Sequence, residues 1–91
     1  MKVKVKYYGY LQEIAGKNED EVKVSNVINL IELFDLLPSK IKEVCIIDGK
    51  RFNPTIKIFR NGIEVKDTDC VHIKIKDGDL IQLLPPIGGG K

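Results

Sequence analysis

Asp77-Gly78-Asp79-Leu80-Ile81-Gln82-Leu83-Leu84-Pro85-Pro86-Ile87-Gly88-Gly89-Gly90-Lys91, the run DGDLIQLLPPIGGGK, sets a turn, a short apolar strand, two prolines and three glycines in direct succession. Asp-Gly-Asp is turn chemistry, because glycine takes up positive φ and the aspartates bond to nearby backbone. Leu80–Leu84 is apolar and of strand length. Proline has no N–H to give a sheet ladder, so Pro85-Pro86 ends that strand abruptly. Their fixed φ also holds the exit in stiff polyproline-like geometry, which keeps the chain from folding back. Extended residues advance about 3.3–3.6 Å each, so residues 85–90 can project roughly 20 Å from a sheet. Glycine lacks a Cβ, fits a narrow channel and lets backbone approach a phosphate closely. Two readings follow: an idle flexible terminus, or a thin probe built to enter another protein's active site.

Upstream, KVKVKYYGY alternates with period two, placing Val3, Val5 and Tyr7 on one face and Lys2, Lys4, Lys6 and Tyr8 on the other. That predicts a half-buried first strand. LQEIAGKNED then turns the chain, with Gly16, Lys17 and Asn18 as breakers, and Glu21–Val24 reads as the partner strand of a hairpin. Ser25 is a plausible N-cap for a helix over the apolar positions 27, 28, 30, 31, 33, 34, 36 and 37, stopped by Pro38. SKIKEV adds another helical turn, and VCIID is a short apolar run of strand or loop. After Asn53-Pro54, TIKIFRNGIEV reads as strand, turn and strand end around Asn61-Gly62, the strongest hairpin signal present. DTDCVHIKIK leads on to the last strand, Leu80–Leu84. A hairpin, one main amphipathic helix and a C-terminal strand predict an α+β two-layer domain, a sheet wrapped around a single helix. The domain runs over 1–84 and the extended tail over 85–91.

At 91 residues and 43% hydrophobic there is room for one domain. A chain of this length buries roughly 60–65% of its unfolded surface, which leaves little space for a deep catalytic pocket. The net charge of +2, with lysines alternating with acids, describes a solvated surface rather than a nucleic-acid footprint. Cys45 and Cys70 form no CxxC pair and read as small buried hydrophobes in a reducing compartment. His72, the single histidine, lies between apolar neighbours in an apparent strand, and no second ligand suggests a metal. No apolar stretch reaches 18 residues, and MKVKVKYY lacks a signal-peptide core, so the expected location is cytoplasmic and away from membranes. The triple glycine is terminal rather than between a strand and a helix, so it is no phosphate loop. No Ser or Cys has an evident base partner. An independent enzyme is not expected.

The run DGDLIQLLPPIGGG, together with the opening VKYYGYLQEIAG, resembles the MoaD/ThiS family of ubiquitin-like sulfur carriers, nearest to the molybdopterin-synthase small subunit. The resemblance implies a β-grasp fold and a definite chemistry. A ubiquitin-activating-type adenylating enzyme would join the terminal glycine carboxylate to AMP from ATP, which that partner uses; no cofactor would be bound by the carrier itself. A sulfur donor protein would then displace AMP to leave a thiocarboxylate, spent on a pterin precursor in the synthase large subunit during molybdenum or tungsten cofactor synthesis. The family's diglycine maps onto Gly89 and Gly90, with Gly90 the activated residue and Gly88 the preceding small one. Gly88, Ile87, Pro86 and Pro85 would bind the partner, with Leu84 and Tyr8 flanking the tail on the docking surface. Lys91 departs from the pattern, which ends on the second glycine. Trimming of Lys91 restores it. The alternatives are a ubiquitin-like modifier joined to target lysines, or a β-grasp interaction domain that is never activated.

Overall fold

A computed structural model describes residues 1–49, 51–66 and 72–86. Along the chain come β1 (Lys2–Tyr7), α1 (Tyr10–Ala15), β2 (Glu19–Lys23), α2 (Leu30–Leu33) continued by a 3-10 turn (Phe34–Leu36), α3 (Ser39–Cys45), β3 (Ile46–Ile47), β4 (Arg51–Phe52), β5 (Lys57–Arg60), β6 (Ile63–Glu64) and β7 (Leu80–Leu84). The main sheet has the order β2-β1-β7-β5-β6, and β3 and β4 form a separate ribbon. β1 and β7 run parallel at its centre, with Lys4 opposite Leu80 and Tyr7 opposite Leu83, while β2 and β5 flank them antiparallel. The first and last strands are thus neighbours, and the helices between them cross one face of the sheet. This is the ubiquitin-like β-grasp arrangement, an α+β fold.

The alternation in β1 holds as read: Val3, Val5 and Tyr7 are buried in the core, joined from β7 by Ile81 and Leu83 and from β5 by Ile58. Leu30, Leu33, Phe34 and Ile41 close that core from the helical side. Each such side chain contributes about 1.5–3 kcal/mol when fully buried. Phe34 and Phe52 stack tilted with centroids 5.2 Å apart, which fastens the β3–β4 ribbon to the helical layer.

Several elements differ from the sequence expectation. LQEIAG is not a plain turn, since Tyr10–Ala15 forms a short helix that buries Leu11 and closes on Gly16 at φ 75°. β2 starts at Glu19 rather than Glu21. The main helix starts three residues into the apolar run. Its N-cap is Asn29 instead of Ser25, and Asn29 and Glu32 exchange side-chain-to-backbone bonds of 2.8 Å in a capping box. The buried stripe is accordingly narrower, with Val27 at 66% and Leu36 at 50% exposure. VCIID divides, Val44 and Cys45 finishing α3 and the two isoleucines forming β3. His72 lies exposed in a turn rather than in a strand, and the only pairing nearby among the described residues is an isolated bridge between Asn29 and Lys74. Cys45 is buried as expected, whereas Cys70 lies outside the described residues.

Candidate functional site: the root of the C-terminal tail

β7 carries the C-terminal segment, and both of its ends are bolted to neighbours. At the entry, Asp77 Oδ1 accepts from the Lys2 backbone N–H at 2.7 Å and the Gly78 N–H donates to the Lys2 carbonyl at 2.8 Å. Gly78 stands at φ 83°, which a glycine meets without strain. Asp79 is 5% exposed. Its Oδ2 accepts from the Lys76 N–H (2.8 Å) and Arg60 Nε (3.0 Å), and its Oδ1 from Asn61 Nδ2 (2.9 Å). Burial alone would raise the Asp79 pKa, but the Lys76, Asn61 and Arg60 bonds and the Arg60 charge outweigh it and hold the carboxyl below its ordinary range. Asn61 returns the contact by accepting from the Leu80 N–H at 2.9 Å. The Asp-Gly-Asp turn therefore locks β7 to β1 on one side and to the Asn61-Gly62 hairpin on the other. That hairpin has φ 52° and 86° at its two central residues, the signature of a type I′ turn.

At the exit, the Tyr8 N–H donates to the Leu83 carbonyl at 3.2 Å. Gly9 follows at φ 55°, and a Cβ there would lie 2.9 Å from Pro85 Cγ. Pro85 is consequently buried, and its ring packs on this chain's own Gly9. Pro85, expected to bind a partner, is thus largely covered by its own domain. Pro86 is the exposed member of the proline pair, and IGGGK follows it in the sequence. Gly89 and Gly90, expected to carry the chemistry, and Ile87 and Gly88, expected to bind the partner, lie outside the described residues.

Tyr8 and Leu84, expected beside the tail, are brought together: each sits one step beyond the Tyr7–Leu83 pair on adjacent strands and is half-buried. They share the helix-free face of the sheet with Lys6, Phe59, Leu80 and Gln82, all half-buried. Ion pairs lie around this patch, Lys4 with Glu19 at 3.6 Å and Lys57 with Glu64 at 3.7 Å. Sequence reasoning missed Gly9 and Gln82. The glycine directly after a strand, and the one polar residue inside Leu-Ile-Gln-Leu-Leu, were the available signals. Gln82 Nε2 donates to the Tyr8 hydroxyl at 2.8 Å, a contact across 74 residues.

Side-chain chemistry elsewhere is subdued. Cys45 is fully buried, and burial pushes its thiol up to about 12, so it is no thiolate at neutral pH. Tyr7 is raised above its usual range by burial first, and then by its 2.6 Å bond to Asp20. Among the described residues no group of three or more His, Cys, Asp or Glu could hold a metal. No described helix is long and apolar enough to cross a membrane.

Comparison with known proteins gives a consistent result. The sequence pattern described as the ThiS family matches residues 5–90. Small archaeal modifier protein 3 of Haloferax volcanii is 26% identical over 97 residues, covering 99% of this chain and 100% of that protein. The crystal structure of small archaeal modifier protein 1 from the same organism superposes with a TM-score of 0.82 at 22% identity, covering 99% of this chain and 100% of that one. A solved complex of subunits 1 and 2 of molybdopterin-converting factor from Helicobacter pylori contains a chain 26% identical, with a TM-score of 0.61 and coverage of 99% and 100%.

Proposed function

This chain belongs to the ThiS family, and from that premise we propose that it is a ubiquitin-like carrier whose Gly90 carboxylate is activated by a partner enzyme and then charged with sulfur. The observation that carries the reading is the way β7 ends. A strand locked at its entry by Asp77 and Asp79 ends on Pro85 against Gly9, and only then reaches the exposed Pro86 and the glycines. A rigid domain that presents a side-chain-free peptide suits chemistry performed on a terminus. Fixing each tail residue on docking costs about 1–2 kcal/mol, so the partner must also grip the rigid domain, and the patch around Tyr8 and Leu84 lies beside the exit.

In the proposed cycle an adenylating enzyme binds the carrier, the carboxylate attacks the α-phosphate of ATP, and pyrophosphate leaves. The outer sulfur of a donor protein's persulfide attacks the acyl carbon and expels AMP. A thiol then cleaves the resulting acyl disulfide, releasing the thiocarboxylate and leaving the donor sulfur in a disulfide with that thiol. Delivery to a pterin precursor within a synthase large subunit is the first reading, supported by likeness to a chain in the Helicobacter pylori converting-factor complex. Conjugation to protein lysines is the second, supported by full-length similarity to a small archaeal modifier protein. Both need Gly90 as the last residue, so we propose that Lys91 is removed first.

The test is the intact mass of the untagged protein from its own cells. A chain ending at Gly90, with one oxygen exchanged for sulfur, is the expected result. A population retaining Lys91 throughout, with no thiocarboxylate and no conjugates on cell proteins, refutes the reading. Isopeptide-linked remnants on lysines would assign the second acceptor class rather than the first. Deleting Gly89 and Gly90 from a chain without Lys91 should abolish transfer while the fold persists.

A further inference from the structure

We infer that Tyr8 and Gln82 form a partner-selecting hydrogen-bond pair at the tail root, read by the adenylating enzyme through one group that offers both an acceptor and a donor, a peptide unit or a carboxamide. This rests on the functional reading above and names a specificity element within it.

The pair sits on the outward face of the central strand, beside the exit of the tail. β7 is the central strand, and Gln82 interrupts an otherwise wholly apolar LIQLL. On the outward face a β-branched or aromatic residue would suit a central strand better than glutamine. Gln82 instead lies between Lys6 on β1 and Phe59 on β5, with its amide nitrogen 2.8 Å from the Tyr8 hydroxyl. Each side chain spends one polar group on the other. The Tyr8 O–H donor and the Gln82 Oε1 acceptor have no further partner among the described residues. Both residues are half-buried and flanked by Phe59, Leu80 and Leu84, so anything covering the patch removes water from them.

Desolvation makes the pair discriminating. A partner with a matching acceptor and donor replaces the lost water bonds. A partner presenting an apolar surface strands both groups, and each stranded group weakens binding by roughly 5- to 150-fold. Tyr8 would donate to the partner's acceptor and Gln82 Oε1 would accept from its donor, while the bond between the two side chains fixes the direction of both groups.

The experiment uses Tyr8→Phe, Gln82→Leu and the double variant in ATP–pyrophosphate exchange with the adenylating enzyme of the same cells, on the chain as those cells mature it. Tyr8→Phe removes one oxygen and leaves the aromatic packing, so it should fold normally. The expected result is a rise in KM of roughly tenfold for each single variant, with kcat unchanged. The double variant should rise by much less than the product of the two, because removing either member disables the other. An unchanged KM for Tyr8→Phe, a loss confined to kcat, or a double-variant KM equal to that product overturns the inference. Failure of the parent chain to support exchange at all would instead overturn the functional reading beneath it.

Discussion

Replacing Asp79 by Asn keeps the size and shape of the side chain and removes its charge and one acceptor oxygen. Three donors converge on the carboxylate, the Lys76 N–H, Arg60 Nε and Asn61 Nδ2, at 2.8, 3.0 and 2.9 Å. An amide can turn its oxygen to only one side, so its NH2 must face at least one N–H donor in a site 5% exposed. Hydrogen bonds to charged groups are worth about 1.5–3 kcal/mol, and an unsatisfied buried donor costs about 1–3 kcal/mol more. Since the three bonds share one site, the losses do not add in full, and we expect Asp79→Asn to cost about 2–4 kcal/mol at pH 7. For a domain of this size that lowers Tm by roughly 10–25 °C.

The pH dependence gives a second readout. The native Asp79 carboxyl titrates below its unfolded value, which is about 3.9. The unfolded chain therefore binds the proton first as pH falls. The contribution of Asp79 is fully present above about pH 4–5 and is lost as pH drops through the native pKa. Urea melts of parent and variant between about pH 2 and 7 should differ most near neutrality and converge in acid. A neutral-pH difference below about 1 kcal/mol, or one that does not shrink in acid, would refute the account of the Asp-Gly-Asp turn as a charged bolt. Asp77 still holds the Lys2 N–H in the variant, so the loss can be assigned to Asp79.

Two further substitutions probe the supports of the site. Gly9→Val places a β-branched residue at φ 55° with its Cβ on the Pro85 ring, and it should cost about 2–3 kcal/mol in chemical denaturation. Pairing it with Pro85→Ala should recover part of the steric share. Asn29→Ala removes half of the capping box and should cost about 1 kcal/mol, visible as a lower urea midpoint at constant m, while Ser25→Ala should be neutral.

The strands that border the core were legible because one of their faces is buried, which writes a period of two into Val3, Val5 and Tyr7. Pro85-Pro86 and Asn61-Gly62 were legible because their backbone constraints are intrinsic. α1 was hidden: six residues that bury only Leu11 fully leave no helical period to detect. The start of α2 was obscured because Val27 is apolar yet exposed, although the Asn-x-x-Glu capping pattern lay two residues further on. Tyr8 and Leu84 could be placed beside the tail from the family resemblance, from the outward phase of Tyr8 in the alternating first strand and from Leu84 preceding Pro85. Gln82 reaching Tyr8 could not, because the register of strands more than 70 residues apart is set by the whole core. Burial of Pro85 likewise depended on Gly9, a neighbour that only the folded chain supplies.

The parallel pairing of β1 with β7 also decides how the domain resists traction. Met1 and the tail leave opposite ends of the paired strands, since Lys4 faces Leu80 while Tyr7 faces Leu83. Tension between the N-terminus and a partner drawing on the glycines would run along the strands, straining their cross-links together in shear instead of peeling them one by one. Under the function proposed above, an enzyme drawing on the carboxylate would work against that shear resistance, and the domain would act as a mechanical stop.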